Sequence, residues 1–386
     1  MGLIRVILAY SVVLGHSASV HEYFIVPANA AVTLFFIVSG FYMAMVLTEK
    51  YTGENRLRQF YSNRVLRLYP TYFVSVVLMI GVQWYLHQKT RGEYVSAWQS
   101  DVAMLPWSVK LPLLVPNIAL FGSDLPWIFH YGPKSGLHFS LGQELPNIPD
   151  AVRMGRYLVV PPAWSIGIEL WFYLLAPFLV LWRTRSLAIL AFISLAVRLG
   201  LEWHAPWSSY FFSPANLCFF LWGMLMYRIY RSERYIGVAT RSRARVVFVV
   251  VVAAIVFRQY VPFYRNYDWM LYIVFGSALP FLFQASKDWR LDRWIGTLSY
   301  PIYLVHASIL LILKIGYGVD AGLVTVLCST LAALVLVVAI EQPLEKFRQR
   351  RTQRSTGRQR PRTSDSDDVQ GLLVASARAG DEGSTR

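Results

Sequence analysis

Apolar runs of membrane-crossing length recur along almost the whole chain. The hydrocarbon core of a bilayer is about 30 Å thick and takes roughly 20 apolar residues to cross as a helix. Such runs lie near residues 3–20, 29–48, 69–87, 164–182, 186–203, 209–229, 246–260, 267–285, 294–314 and 321–341. The seventh is the weakest, because its 246–257 core is short and needs its flanks to span. Within lipid each backbone polar group must be satisfied inside its own segment, and helices do this. The expected fold class is therefore all-α, a polytopic membrane helix bundle with about ten transmembrane helices. Charged residues make up 15% of the chain, against about 25% in soluble proteins. The two cysteines, Cys218 and Cys328, both fall inside apolar runs. That excludes a disulfide framework or a Cys-based metal site, and no metal is expected.

The net charge of +15 would suit nucleic acid, but its placement points to a membrane instead. Arg5, the 49–68 loop, Arg183, Arg185, the 228–245 arginines, Lys287, Arg290, Arg293 and the tail from Lys346 all fall on one side of the alternating spans. Most of the 37 Lys and Arg lie there, which puts both termini in the cytoplasm. No nucleic-acid motif accompanies them. Residues 1–345 form the transmembrane domain, with 88–163 a long extracytoplasmic loop. Its apolar 111–121 piece holds Pro112 and Pro116, which argue against a straight span. A re-entrant or surface-lying segment, part of an ordered cover, fits better. Residues 346–386 are rich in Arg, Ser, Thr, Gly and Asp, the composition of a disordered basic cytoplasmic tail.

Five groups of residues can carry chemistry. In the first span, Arg5 and His16 are eleven residues apart, so they share a helix face about 16 Å apart. A histidine at that depth is a functional candidate by default. The plainer readings are a polar helix contact, or a signal peptide with Arg5 ahead of an apolar 6–14 core. The second span reads Phe35-Phe36-Ile-Val-Ser39-Gly40-Phe41, where small residues either let helices approach or leave a polar notch. Arg64 and Arg67 share a helical face and either hold phosphate or simply anchor the loop. Trp164 and Ser165 open the fourth span, in which Ser165, Glu169 and Tyr173 line one face. An intramembrane carboxylate such as Glu169 needs a partner, and a structural ion pair is the bland alternative. Tyr303 and His306 follow Pro301 in the ninth span and suggest a polar pocket there.

The chain resembles the acyltransferase 3 family of integral membrane O-acyltransferases. Five segments match in family order: Arg5-x10-His16, Phe-Phe-x-x-Ser39-Gly40-Phe41, Arg64-x-x-Arg67-x-x-Pro70, Trp164-Ser165-x-x-x-Glu169, and Ser299-Tyr300-x-Ile-Tyr303-Leu-x-His306. Each is weak singly, and the ordered set is specific. The chain departs from the family in having only four residues before Arg5, and it appends no esterase-like domain. The resemblance implies transfer of a short acyl group, usually acetyl, from cytoplasmic acyl-CoA. The acceptor would be a hydroxyl of an extracytoplasmic or lipid-linked carbohydrate. No bound cofactor is implied, since acyl-CoA is the donor substrate. Partners are then acyl-CoA, a glycan or other hydroxyl acceptor, and lipids of a bacterial inner membrane. The residues agree with such chemistry, because His16 suits a base near neutral pH and Arg5 and Glu169 can support it. His16 can equally be acylated itself. A transporter or flippase would use the same polar cavity without covalent chemistry, and is the alternative.

Overall fold

Helices dominate the computed structural model, which describes residues 1–17, 26–51, 53–102, 105–139, 151–233, 235, 240–257, 260 and 268–357. The bundle is built from α1 (Gly2–Gly15), α2 (Ala28–Glu49) and α3 (Arg56–Lys89), then α4 (Ala97–Ser100) and α5 (Trp107–Ala119) in the long loop. It continues with α6 (Trp164–Leu179), α7 (Thr184–His204), α8 (Pro206–Phe211), α9 (Ser213–Tyr230), α10 (Arg241–Val256) and α11 (Asp268–Ser286). Last come α12 (Arg290–Ile295), α13 (Ser299–Leu311), α14 (Gly322–Leu336) and α15 (Gln342–Gly357). The fold is all-α, as expected.

Among the described residues seven helices are long and apolar enough to cross a membrane: α2, α3, α6, α7, α11, the stretch Arg290–Gly316 and the helix that begins at Gly322. The other three expected spans are helical, but shorter or more polar. With 14 residues, α1 rises about 21 Å, short of the hydrocarbon thickness. Residues 18–20 of its expected span, and those that follow to 25, lie outside the described residues. The chain divides into two units, 1–342 and 343–386. In the second, α15 is helical to Gly357, so helix persists past Lys346. The tail expected to be disordered lies, from residue 358, outside the described residues.

Close backbone contact organises the centre of the bundle. A Cβ at Gly40 would sit 1.9 Å from the Phe220 carbonyl oxygen, and one at Gly223 would sit 2.0 Å from that of Ile37. These two glycines therefore let α2 and α9 touch backbone to backbone, as small residues do in membrane helices. Around the crossing Phe36, Phe220 and Phe172 stack, with ring centroids 4.7 and 4.4 Å apart. The second-span motif thus serves two purposes: Gly40 makes the crossing, and Ser39, one residue earlier, turns to a cavity.

The 88–163 loop is an ordered cover over its described length. Both Pro112 and Pro116 lie inside α5, whose 13 residues are too few to span. Val109, Leu113, Pro116 and Asn117 are buried, while Trp107, Leu111, Val115 and Ile118 form an exposed apolar stripe. Such a stripe suits a helix that meets lipid. Hydroxyls of Tyr69 and Tyr72 on α3 donate to the Ala119 and Asn117 carbonyls, satisfying acceptors that the helix end leaves open. A small antiparallel sheet, unforeseen in the sequence, follows in the order β2 (Gly136–Phe139), β1 (Phe129–Gly132), β3 (Val152–Arg153). Trp127 stacks on Phe211 at 4.8 Å, and Phe211 lies 4.6 Å from Trp164. Buried Asp124 pins the cover down by accepting from Ser213 (2.5 Å) and the Trp171 indole (3.2 Å). Burial pushes its carboxyl up to about 6, against those hydrogen bonds, which favour the ionised form.

Candidate active site

A cavity of about 460 Å³ opens inside the bundle, where α1, α2, α3, α6, α11, α12 and α13 converge. Exposed Arg293 stands among its lining residues at one end, and buried Ser165 and Tyr303 at the other. Between them the lining carries Arg5, Arg64, Arg67 and Lys287, with Glu169 and Asp292 as its carboxylates. Apolar side chains, among them Val32, Phe35, Phe36 and Phe283, complete the wall.

Local helix geometry places each polar group. Ser165, Glu169 and Tyr173 recur every four residues on α6, so all three reach the cavity. The Glu169 carboxylate accepts from the Tyr173 hydroxyl at 2.5 Å and from the Ser39 hydroxyl on α2. Asp292 accepts the Gly2 and Leu3 amides at 2.7 and 2.8 Å, capping the start of α1. Arg64 is 5% exposed and lies 5.6 Å over the rings of both Phe60 and Tyr173. Among the described residues it has no carboxylate within salt-bridge distance, and its Nε has no hydrogen-bond partner. A buried cation without a counter-ion is costly unless an anion arrives to pair with it. Arg5, one turn into α1, likewise makes no salt bridge among the described residues.

Beyond the Ser165 and Tyr303 end of the cavity lies a second polar group, made of two imidazoles. The Tyr303 hydroxyl meets Ser165 Oγ at 2.6 Å and donates to the Pro162 carbonyl at 3.0 Å. Its ring centroid is 5.9 Å from that of His306, which is 5.1 Å from that of His16. His306 is buried, whereas His16, just past the end of α1, is exposed. Nδ1 of His16 lies 2.8 Å from the Val12 carbonyl, and Nδ1 of His306 lies 2.7 Å from that of Tyr303. A carbonyl oxygen only accepts, so Nδ1 carries the proton in each ring and Nε2 keeps a lone pair. Nε2 of His306 has no partner among the described residues.

Comparison with known families bears directly on this arrangement. The family model described as an acyltransferase domain, that of the acyltransferase 3 family, matches residues 1–342. The chain belongs to that family. Neither curated proteins nor solved structures yield a match.

In this acyltransferase the expected site residues fall into three places. Arg5, Ser39, Arg64, Arg67, Ser165, Glu169 and Tyr303 line the cavity. His16 and His306 pair outside its lining. Trp164 packs instead against Tyr210 and Phe211, at 4.5 and 4.6 Å, beneath the cover. Glu169 was expected to support the His16 imidazole. Its contacts are Ser39 and Tyr173, and the Val12 carbonyl orients His16. The reason is the rise of α1, which carries His16 three turns beyond Arg5 and outside the lining of the cavity. The sequence reading also passed over lining residues. Tyr42 had no motif to mark it, and Lys287 and Arg293 were read as topology charges alone. No group of three or more potential metal ligands occurs among the described residues.

Proposed function

We propose that the protein is an integral membrane O-acyltransferase of a bacterial inner membrane, with both termini cytoplasmic. It moves an acyl group, acetyl by preference, from cytoplasmic acyl-CoA to a hydroxyl of an extracytoplasmic or lipid-linked carbohydrate. The observation that carries this reading is the cation excess of the cavity, above all buried Arg64 without a carboxylate partner among the described residues. CoA is a polyanion, and arginine forks match phosphate oxygens. Arg64 and Arg67 with Lys287 and Arg293 bind the phosphates, and the thioester runs inward past Arg5 toward Tyr303. Ser39, Ser165 and the Tyr303 hydroxyl position it, Glu169 holds Ser39 and Tyr173 in place, and Arg5 offers its guanidinium to a carbonyl of the pantetheine arm as it passes. His16, exposed at the far end of α1, serves the acceptor hydroxyl with its bare Nε2.

Membranes holding the protein, given acyl-labelled acetyl-CoA, should release CoA thiol and label a glycan fraction. A transporter would do neither. Donor consumption that requires no hydroxyl acceptor, or labelling unchanged in His16→Ala membranes, would remove this reading.

A further inference from the structure

The two imidazoles stand in series between the cavity and the exposed end of α1. From the cavity the order is Tyr303, then buried His306, then exposed His16. Both rings are fixed in one tautomer by carbonyls of their own helices. Each therefore presents a single lone pair, at Nε2. A ring with one open lone pair can accept an acyl carbon or a proton, but not both at once. A buried acceptor left unpaired is costly, so the Nε2 of His306, without a partner among the described residues, requires an explanation. Its neighbours do not supply a fixed donor: the Tyr303 hydroxyl is committed to Ser165 and Pro162, and the Nδ1 proton of His16 to Val12.

We infer that transfer is divided between the two rings, His306 carrying the acyl group and His16 accepting the proton. This rests on the reading above, in which His16 serves the acceptor. In the first half, Nε2 of His306 attacks the thioester carbonyl, the C–S bond breaks and CoA leaves as the thiolate. The acylimidazolium keeps its Nδ1 proton on the Tyr303 carbonyl. In the second half, the acceptor oxygen bonds to the acyl carbon while its proton passes to Nε2 of His16. The C–N bond breaks and its electron pair returns to His306. His16 then gives its proton to water, and the thiolate takes one from water. The division suits the burial of each ring, because a dry site protects an acylimidazole from hydrolysis and an exposed one meets an acceptor.

His→Asn replacement tests this, since the Asn amide can still donate to the carbonyl that Nδ1 served while Nε2 is lost. The full chain in lipid nanodiscs is incubated with acyl-labelled acetyl-CoA and no acceptor, then treated with hydroxylamine, which cleaves acylimidazoles without a base. Without an acceptor the acyl group is left to water, and losing the base slows that deacylation too, by about 10²- to 10⁴-fold. His16→Asn should therefore accumulate hydroxylamine-labile label toward one acyl group per chain, and His306→Asn should hold none. Thermal unfolding midpoints near wild type in both variants keep the comparison free of misfolding. Label on His306→Asn but not on His16→Asn would overturn the assignment. So would an inactive His16→Asn protein that carries no labile acyl group. Wild-type transfer by His16→Asn would instead bring down the functional reading beneath it.

Discussion

The two ends of α1 sit in opposite electrostatic surroundings. Around Arg5 the cavity gathers cations in open space, with few carboxylates among them. Around His16 stand two imidazoles, each held by a backbone carbonyl, and among the described residues neither ring is bonded to a carboxylate. The first arrangement attracts an anion and does not by itself make or break bonds. The second has little to offer a polyanion, but it holds two bases whose lone pairs are already set. On the proposed reading, donor recognition and group transfer lie about three helical turns apart, with the Tyr303–Ser165 contact between them. Substitutions at one end should then change binding, and at the other turnover.

The largest effect is expected from His16→Ala. Removing the base should lower kcat by about 10²- to 10⁴-fold while membrane insertion stays near wild type and KM for acyl-CoA does not rise. A comparable rise in KM would mean that the two ends are not separate. Next comes the double change Arg64→Gln with Arg67→Gln. Hydrogen bonds to charged groups are worth about 1.5–3 kcal/mol each, so apparent KM should rise roughly 10- to 100-fold or more, with kcat less affected. Unchanged donor dependence, with poorer insertion, would return these arginines to anchoring.

Smaller changes sharpen the boundary. Arg5→Lys keeps the charge and loses the planar fork, and activity should fall about tenfold, because a carbonyl of the donor arm then loses one of two donors. Glu169→Gln retains an acceptor for Ser39 and Tyr173 and should cost less than Glu169→Ala, measured as kcat with saturating donor. The smallest effect belongs to the cover. Asp124 is raised from 3.8 to about 6 in the folded protein, so the folded state holds its proton over a range where the unfolded chain has lost it. Its contribution to stability should therefore fall as pH rises from about 4 to about 6 and be flat above that. Asp124→Asn should remove this slope, read from the pH dependence of the thermal midpoint.

Much of the cavity was legible because helical periodicity is local. The four-residue spacing of Ser165, Glu169 and Tyr173 sufficed to place them together, and the charge of Arg64 was visible at once. The bundle itself followed from apolar run length, although three runs make shorter or more polar helices than expected. What remained hidden depends on contacts between distant segments. Nothing local pairs His16 with His306, or gives Glu169 to Ser39 rather than to an imidazole. Trp164 looked like a substrate contact because its motif is shared, yet its neighbours Tyr210 and Phe211 come from another helix. The three-stranded sheet escaped because its strands are too short to show alternation.

The glycine crossing of α2 and α9 also bears on motion. Two helices in backbone contact at Gly40 and Gly223 have no side-chain layer through which to slide. They form a stiff spine, with Ser39 fixed to it beside Glu169. Any swing that lets an acyl chain past Tyr303 finds irregular backbone instead on the helix that carries Tyr303 itself. There α13 gives way to a wider π turn at Ile312–Gly316, a weak point in an otherwise regular rod. Filling Gly40 with a methyl group would bend the spine itself and move both polar ends of α1 out of step.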